Sequence, residues 1–210
     1  VVAVKPQIIA NVLPPLRPLF APTTLAVSIA AGTPLAKLAA GLGEVAIVRA
    51  MPNLPVAVGK GVVSLISENR AAAEDAGLNE QMALLGLVEW MEDESQFDAI
   101  TALAGCGPAF VYRVIDAMAA GGTALGLSPE QSMRVALAVV EGAGAMASAS
   151  DVLPGELARQ VASPGGATRP VAPPGPSIQI RTSKSVRASA SNRSRKTALN
   201  IAPTICAGCG

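Results

Sequence analysis

The sequence contains no histidine, so histidine general acid or base catalysis is excluded. Aromatic residues make up only 2% of the 210 residues, although 50% of the chain is hydrophobic. Alanine, valine, leucine and glycine supply most of that apolar content. This composition indicates one sizeable core, or two small ones, with closely packed Ala- and Gly-rich helices.

Cysteine is also scarce: the three cysteines, one in the body and two near the end, do not form a disulfide framework. We therefore expect a reducing, cytoplasmic location. The lone C-x-x-C of Cys206 and Cys209 has no second pair, and we predict no metal site. No signal peptide is visible in the sequence. The longest uncharged stretch contains Pro22 and Pro34, which makes it a poor membrane span.

Acidic residues are absent from residues 169–210, which carry 7 lysines and arginines and a net charge of +7. Residues 1–168 carry 9 basic and 15 acidic residues, a net charge of −6. The tail is rich in serine and proline and shows no periodicity, which predicts disorder. Its basic character permits a nucleic-acid-binding arm as an alternative.

The first part of the chain alternates apolar strand-like runs with helical patterns, which predicts a parallel α/β sheet. After about residue 93 the pattern becomes helical, with expected turns at Gly121 and Gly122 and at residues 126–130, and a last helix from about Pro154. The predicted strands cover residues 1–4, 23–32, 45–53, 61–67 and 87–92, and the predicted helices between them cover residues 34–42 and 68–87.

Several short motifs have both a functional and a structural interpretation. Lys5 follows a predicted strand, where it could meet a phosphate or ribose or remain an exposed charge. Arg49 could pair with an anion or hold its own loop. Cys106, between two glycines, has no histidine to activate it and is interpreted as a small packing residue. The turn "SPGGAT", 163–168, could direct several N–H groups at a carboxylate, or simply join two helices.

Six stretches in this order resemble the pyrroline-5-carboxylate reductase family: "VKPQ", "SIAAG", "RAMPNLPVAVGKG", "FDAITALAGCGPAFVY", "DAMAAGGTALGLS" and "SPGGAT". The resemblance covers residues 1–168. It implies a partial Rossmann-type domain over residues 1–93 and an all-helical dimerisation and substrate domain over residues 94–168. The implied reaction is hydride transfer from NADPH or NADH to the C=N bond of 1-pyrroline-5-carboxylate, which gives L-proline.

The resemblance also implies site residues, carried over position by position. The cofactor-binding positions are Ala3, Val4, Lys5, Ala31 and Gln160, the last where the family often has asparagine. Thr168 is implied as the catalytic hydrogen-bond partner of the ring nitrogen. The substrate-binding positions are Glu94, Ser163, Gly165, Gly166, Ala167 and Thr168. A homodimer or higher homo-oligomer is expected, with neither a membrane nor a nucleic acid as partner.

Two departures from the family pattern lead to further expectations. The family's first strand and its G-x-G-x-x-[GA] phosphate turn have no counterpart before Val1, so we expect a partial nucleotide domain and a weak reductase. The sequence after Thr168 departs abruptly from the family, which predicts a frameshift or mis-joined reading there. The alternative from another class is a non-catalytic helical dimerisation module with a basic arm.

Overall fold

The computed structural model describes residues 1–161, which divide into one compact unit over residues 1–108 and a second unit that starts at Ala109. The predicted disorder of residues 169–210 lies outside the described residues. The first unit contains a four-stranded sheet in the order β1-β2-β3-β4. Its strands are β1 (Leu25–Ser28), β2 (Ala46–Pro52), β3 (Gly61–Ser67) and β4 (Gly86–Trp90).

The sheet is mostly parallel, which confirms the predicted class, but one pairing differs. Strands β1 and β2 are parallel, as are β3 and β4, whereas β2 and β3 are antiparallel. The connection from Pro52 to Gly61 consists mainly of the 3₁₀ helix Leu54–Val58. A parallel crossover needs a dozen or more residues, so this short connection allows only an antiparallel return.

The predicted strand over residues 1–4 is reduced to a single bridge. Val2 pairs in parallel with Ser28: the Val2 amide donates to the Val27 carbonyl at 2.7 Å and the Ile29 amide donates to the Val2 carbonyl at 3.0 Å. Val1 is 91% exposed. The segment therefore runs beside β1 without the burial that the apolar run predicted.

The short helices that come before or between the strands are α1 (Ile9–Val12), flanked by 3₁₀ turns Pro6–Ile8 and Pro14–Leu19, α2 (Leu35–Leu42), α3 (Arg70–Asp75) and α4 (Leu78–Ala83). Helix α2 matches its prediction and ends at Gly43, whose φ is +81°. The single helix predicted over residues 68–87 is wrong. Gly77, with φ +62°, divides it into two, because a left-handed residue cannot continue a right-handed helix.

The sheet is covered on both faces, as the alternation of side chains along a strand requires. The first face buries Ala26, Ile47 and Ile66 against residues from α1, α2 and the helix at Phe97. The second buries Val27, Val48 and Leu65 with Ala73 and Leu78 of α3 and α4. This two-sided covering holds the strand ends in place.

The remaining elements are helical: α5 (Gln96–Ile100), a π-helical turn (Thr101–Gly105), α6 (Gly107–Ala124), α7 (Pro129–Ser148) and α8 (Pro154–Val161). The predicted last helix is confirmed, and so is the turn before α7, where Gly126 has φ +104°. The predicted turn at Gly121 and Gly122 is wrong, since both lie inside α6. Gly122 serves close helix packing instead: a Cβ there would lie 2.9 Å from the Ser132 Oγ.

Candidate functional site

The first candidate residues lie at one edge of the sheet, beyond the carboxyl end of β1. Val2 pairs with Ser28, and three residues later both segments have left the strand, at Lys5 and Ala31. Lys5 and Ala31 are exposed, as is Ala3, whereas Val4 is half-buried against the first core cluster. Ligands of open α/β sheets bind outside the carboxyl ends of parallel strands, which is where these residues lie.

The loop between β1 and α2 consists mostly of small residues, and a hydrogen bond fixes its first residues. The buried Ser28 hydroxyl accepts a hydrogen bond from the Ala30 amide at 3.3 Å. Gly32 has φ +64°, and no heavy atom lies within 4 Å of where its Cβ would be. The Thr33 hydroxyl is buried and has no hydrogen-bond partner among the described residues. The loop thus offers an open surface of small residues with a polar atom beside it.

Glu94 joins this loop to the end of β2. Its Oε1 accepts a hydrogen bond from the Leu35 amide, the first of α2, at 2.9 Å, and another from the Arg49 guanidinium at 2.6 Å. The Arg49 side chain is only 12% exposed, and its guanidinium carbon lies 4.1 Å from the centre of the Phe97 ring. Of the two interpretations of Arg49 left open by the sequence, the structure shows a role within the fold, because the anion that Arg49 pairs with is the Glu94 carboxylate of the same chain.

A second set of contacts continues from Arg49 along the end of β2. The Thr101 hydroxyl donates to the Phe97 carbonyl at 2.5 Å and lies 2.9 Å from the sulfur of Met51. The Asn53 side chain accepts from the Val62 amide at 2.8 Å and donates to the Ala104 carbonyl at 3.0 Å. Every second residue from position 49 to 53 therefore touches α5 or the π-helical turn. Turns of this kind are frequent at functional sites.

The electrostatics near Glu94 include one perturbed acid. Hydrogen bonds from the Ser95 hydroxyl and then from the Ser95 amide lower the pKa of Asp93 below its ordinary value. The Ser95 amide donates to the Asp93 Oδ1 at 2.7 Å. Asp93 is exposed, and it accepts this hydrogen bond just before α5 begins at Gln96.

The other candidate residues lie elsewhere in the chain. Gln160 is exposed on α8, in the second unit. The implied substrate turn lies outside the described residues, and this includes Ser163, Gly165, Gly166, Ala167 and Thr168. Cys106 follows the π-helical turn and is exposed, so its interpretation as a packing residue is wrong for the described part of the chain.

Sequence reasoning missed the amide of Leu35, the Phe97 ring and the Asn53 side chain as parts of this arrangement. The glycines on either side of Cys106 and the proline that follows are a local signal that could have predicted a helix interruption, which the structure shows as a π-helical turn. Contacts that span 45 to 59 positions, as those of Glu94 do, leave no local pattern.

Neither a membrane span nor a metal cluster is found in the described residues. No helix between residues 1 and 161 is long and apolar enough to cross a bilayer. Within the same range, no group of three histidine, cysteine or acidic side chains could hold a metal ion.

The architecture is that of an α/β protein with a Rossmann-like unit followed by helices. Comparison with known proteins makes this specific. Residues 94–171 match the family model described as pyrroline-5-carboxylate reductase dimerisation. The chain is 42% identical over 172 residues to the pyrroline-5-carboxylate reductase of Pseudomonas aeruginosa, covering 80% of this chain and 62% of that protein. It is 41% identical over 169 residues to the enzyme of Pisum sativum, with the same two coverages.

The solved structures that resemble this chain are also pyrroline-5-carboxylate reductases. The pyrroline-5-carboxylate reductase of Coxiella burnetii superposes with a TM-score of 0.72 at 33% identity, over 79% of this chain and 62% of that one. The Plasmodium falciparum pyrroline carboxylate reductase, solved with NADP bound, gives 0.70 at 34% identity, over 79% and 66%. The chain is therefore similar to pyrroline-5-carboxylate reductases over about four fifths of its length, and residues 94–171 match their dimerisation model. It spans about three fifths of the length of the curated relatives described above.

Proposed function

We propose that this protein is an NAD(P)H-dependent oxidoreductase that reduces the C=N bond of 1-pyrroline-5-carboxylate to give L-proline. The observation that carries the proposal is the sequence match over 80% of the chain to proteins named for this reaction. One relative was solved with NADP bound.

The strand edge fits a nicotinamide ring. Ala31 and Gly32 are exposed and small, so a flat ring can lie against their backbone. The buried Thr33 hydroxyl beside them has no partner within residues 1–161 and could bond a polar ligand atom. In the proposal Ala3, Val4, Lys5, Ala31 and Gln160 hold the cofactor, which supplies the hydride when bound.

The substrate side of the proposal rests on the turn at residues 163–168. Its glycine-rich amides, with Ser163, Gly165, Gly166 and Ala167, would bind the carboxylate. Thr168 would form a hydrogen bond at the ring nitrogen, and Glu94 would lie near the substrate. An imine carbon is already electrophilic, more so once its nitrogen is protonated. The protein's main contribution is therefore orientation of the two reactants.

The assay is oxidation of NADPH or NADH in the presence of 1-pyrroline-5-carboxylate, with L-proline measured as product. Thr168→Ala should lower kcat/KM for pyrroline-5-carboxylate by about tenfold or more, since the removed hydroxyl acts at the reacting C=N bond. The Kd for NADPH should stay nearly unchanged.

The matched control is Thr197→Ala, which removes a threonine hydroxyl beyond the residues that match the family model. It should leave kcat/KM unaltered. If the unsubstituted chain binds neither NADPH nor NADH and forms no proline, the proposed function is wrong.

The proposal extends to assembly and location. We infer a homodimer or higher homo-oligomer built by the residues that match the dimerisation model. A cytoplasmic location is supported by the scarcity of cysteine. The alternative of a non-catalytic module with a basic nucleic-acid-binding arm is less well supported, because the match to reductases includes the sheet unit as well as the helices.

A further inference from the structure

We propose that Glu94 is a positioning residue that fixes the loop between β1 and α2, and so shapes the surface on which the nicotinamide rests. This inference rests on the proposed function, because that function assigns the loop to the cofactor. It gives Glu94 a structural task in the site that is distinct from contact with the substrate.

The first step is the capping of α2. The residue before this helix, Pro34, has no side-chain group that could accept a hydrogen bond from the first amides. Glu94 does so from 59 positions away, through its Oε1 on the Leu35 amide at 2.9 Å. A carboxylate at a helix N-terminus is favoured by the helix dipole as well as by the hydrogen bond.

The second step is what fixes the carboxylate. The same Oε1 accepts from the Arg49 guanidinium at 2.6 Å. That guanidinium stacks on the ring of Phe97, which is 2% exposed. A planar guanidinium held on an aromatic face has little freedom to turn away. One oxygen atom thus joins β2, α2 and the start of the helix that follows Glu94.

The third step concerns the loop itself. Its start is held by the Ser28 hydroxyl on the Ala30 amide, and its end by Glu94 on the Leu35 amide. Between these anchors lie Ala31 and Gly32, both exposed. Gly32 has φ +64°, a conformation that glycine can readily leave when nothing holds the flanking residues. Release of the Leu35 anchor should therefore loosen the cofactor surface while the sheet stays intact.

The experiment uses the full chain with Glu94→Ala and Glu94→Gln, and with Glu92→Ala as the control for removal of a nearby acid. Glu92 is exposed and lies two positions before Glu94. Amide hydrogen exchange is followed by mass spectrometry in peptides covering residues 30–38, with a peptide over residues 61–67 reporting on the sheet. NADPH affinity is measured by fluorescence titration.

Glu94→Ala should raise exchange in residues 30–38 by about tenfold, the loss expected for a charge-assisted hydrogen bond, with residues 61–67 unchanged. The Kd for NADPH should rise by a similar factor. Glu94→Gln keeps an acceptor oxygen and should restore most of both properties, and Glu92→Ala should behave like the unsubstituted chain.

The inference is overturned if exchange over residues 30–38 does not change in Glu94→Ala, or if it rises equally over residues 61–67. It is also overturned if Glu94→Gln raises only the KM for pyrroline-5-carboxylate, since that result assigns Glu94 to substrate contact. The exchange readout needs no cofactor. An unsubstituted chain that binds neither NADPH nor NADH and forms no proline refutes the proposed function, while exchange still decides whether Glu94 anchors the loop.

Discussion

At the scale of single residues, Gly86 is the most constrained position in the sheet unit. It begins β4 opposite Gly61 and has φ +132°. A Cβ at this position would lie 2.2 Å from the Gly61 carbonyl oxygen, a backbone atom that cannot move aside. Backbone strain and overlap therefore act together.

We expect Gly86→Ala to lower the free energy of unfolding by at least about 2 kcal/mol. Urea denaturation followed by circular dichroism measures this change. Gly155→Ala is the control, because Gly155 lies in α8 with no heavy atom near its Cβ position. Equal stability of Gly86→Ala and the unsubstituted chain would show that β4 does not begin at Gly86 as described.

How far the sequence predicts the site also differs from residue to residue. The strand-end position of Lys5 could be predicted because it follows an apolar run, whereas Ala31 was assigned to the site by the resemblance to the family. The partner of Arg49 could not be predicted, since Glu94 is 45 positions away and several other acids were equally available. Such a pairing depends on how the helix after residue 94 packs on the sheet.

At the scale of elements, strands and capped helices were predictable where local chemistry is decisive. A glycine marks the end of the helix predicted over residues 34–42, and a Ser-Pro-Glu sequence marks the start of α7. Gly77 and Gly122 show the limit of this reasoning. Glycine breaks a helix at position 77, yet at position 122 it lets α6 approach α7. Only the tertiary neighbours distinguish the two roles.

The N-terminus of α7 carries the element-scale prediction. The Ser128 hydroxyl accepts from the Gln131 amide at 3.1 Å. The pKa of Glu130 is lowered, first by its own backbone amide and then by the Ser128 side chain. Loss of the cap by Ser128→Ala should cost about 1 kcal/mol of stability. Thermal unfolding measures the loss, and Ser148→Ala at the other end of α7 is the control.

The pH dependence follows from the same contacts. A carboxyl whose pKa is lowered by folding stabilises the folded state above its unfolded pKa, and this contribution is lost as pH falls through the folded value. Because the Ser128 side chain is one of the two groups that lower the pKa of Glu130, Ser128→Ala should raise this pKa towards its ordinary value. NMR titration measures the change. An unaltered pKa would mean that the backbone amide alone perturbs Glu130.

At the scale of the whole molecule, the helices from α6 to α8 expose too much apolar surface for an isolated unit. Large side chains along α7 illustrate this, with Leu137 49% exposed and Met146 67% exposed. Only Ser132 and Ala136 of that helix are buried. A pair of long helices with this pattern needs a further apolar surface to cover it. The proposed homodimer supplies one.

We therefore expect light scattering of the full chain at micromolar concentration to show a dimer or a larger assembly. Leu137→Glu should shift the population towards monomer, because burial of an unpaired carboxylate costs far more than exposure of a leucine. Gln131→Glu places the same charge at an exposed polar position of α7 and should leave the assembly intact. Circular dichroism checks that both variants keep their helices. A monomeric unsubstituted chain would refute the assembly, and a Leu137→Glu dimer as stable as the original would exclude this face of α7 from the contact.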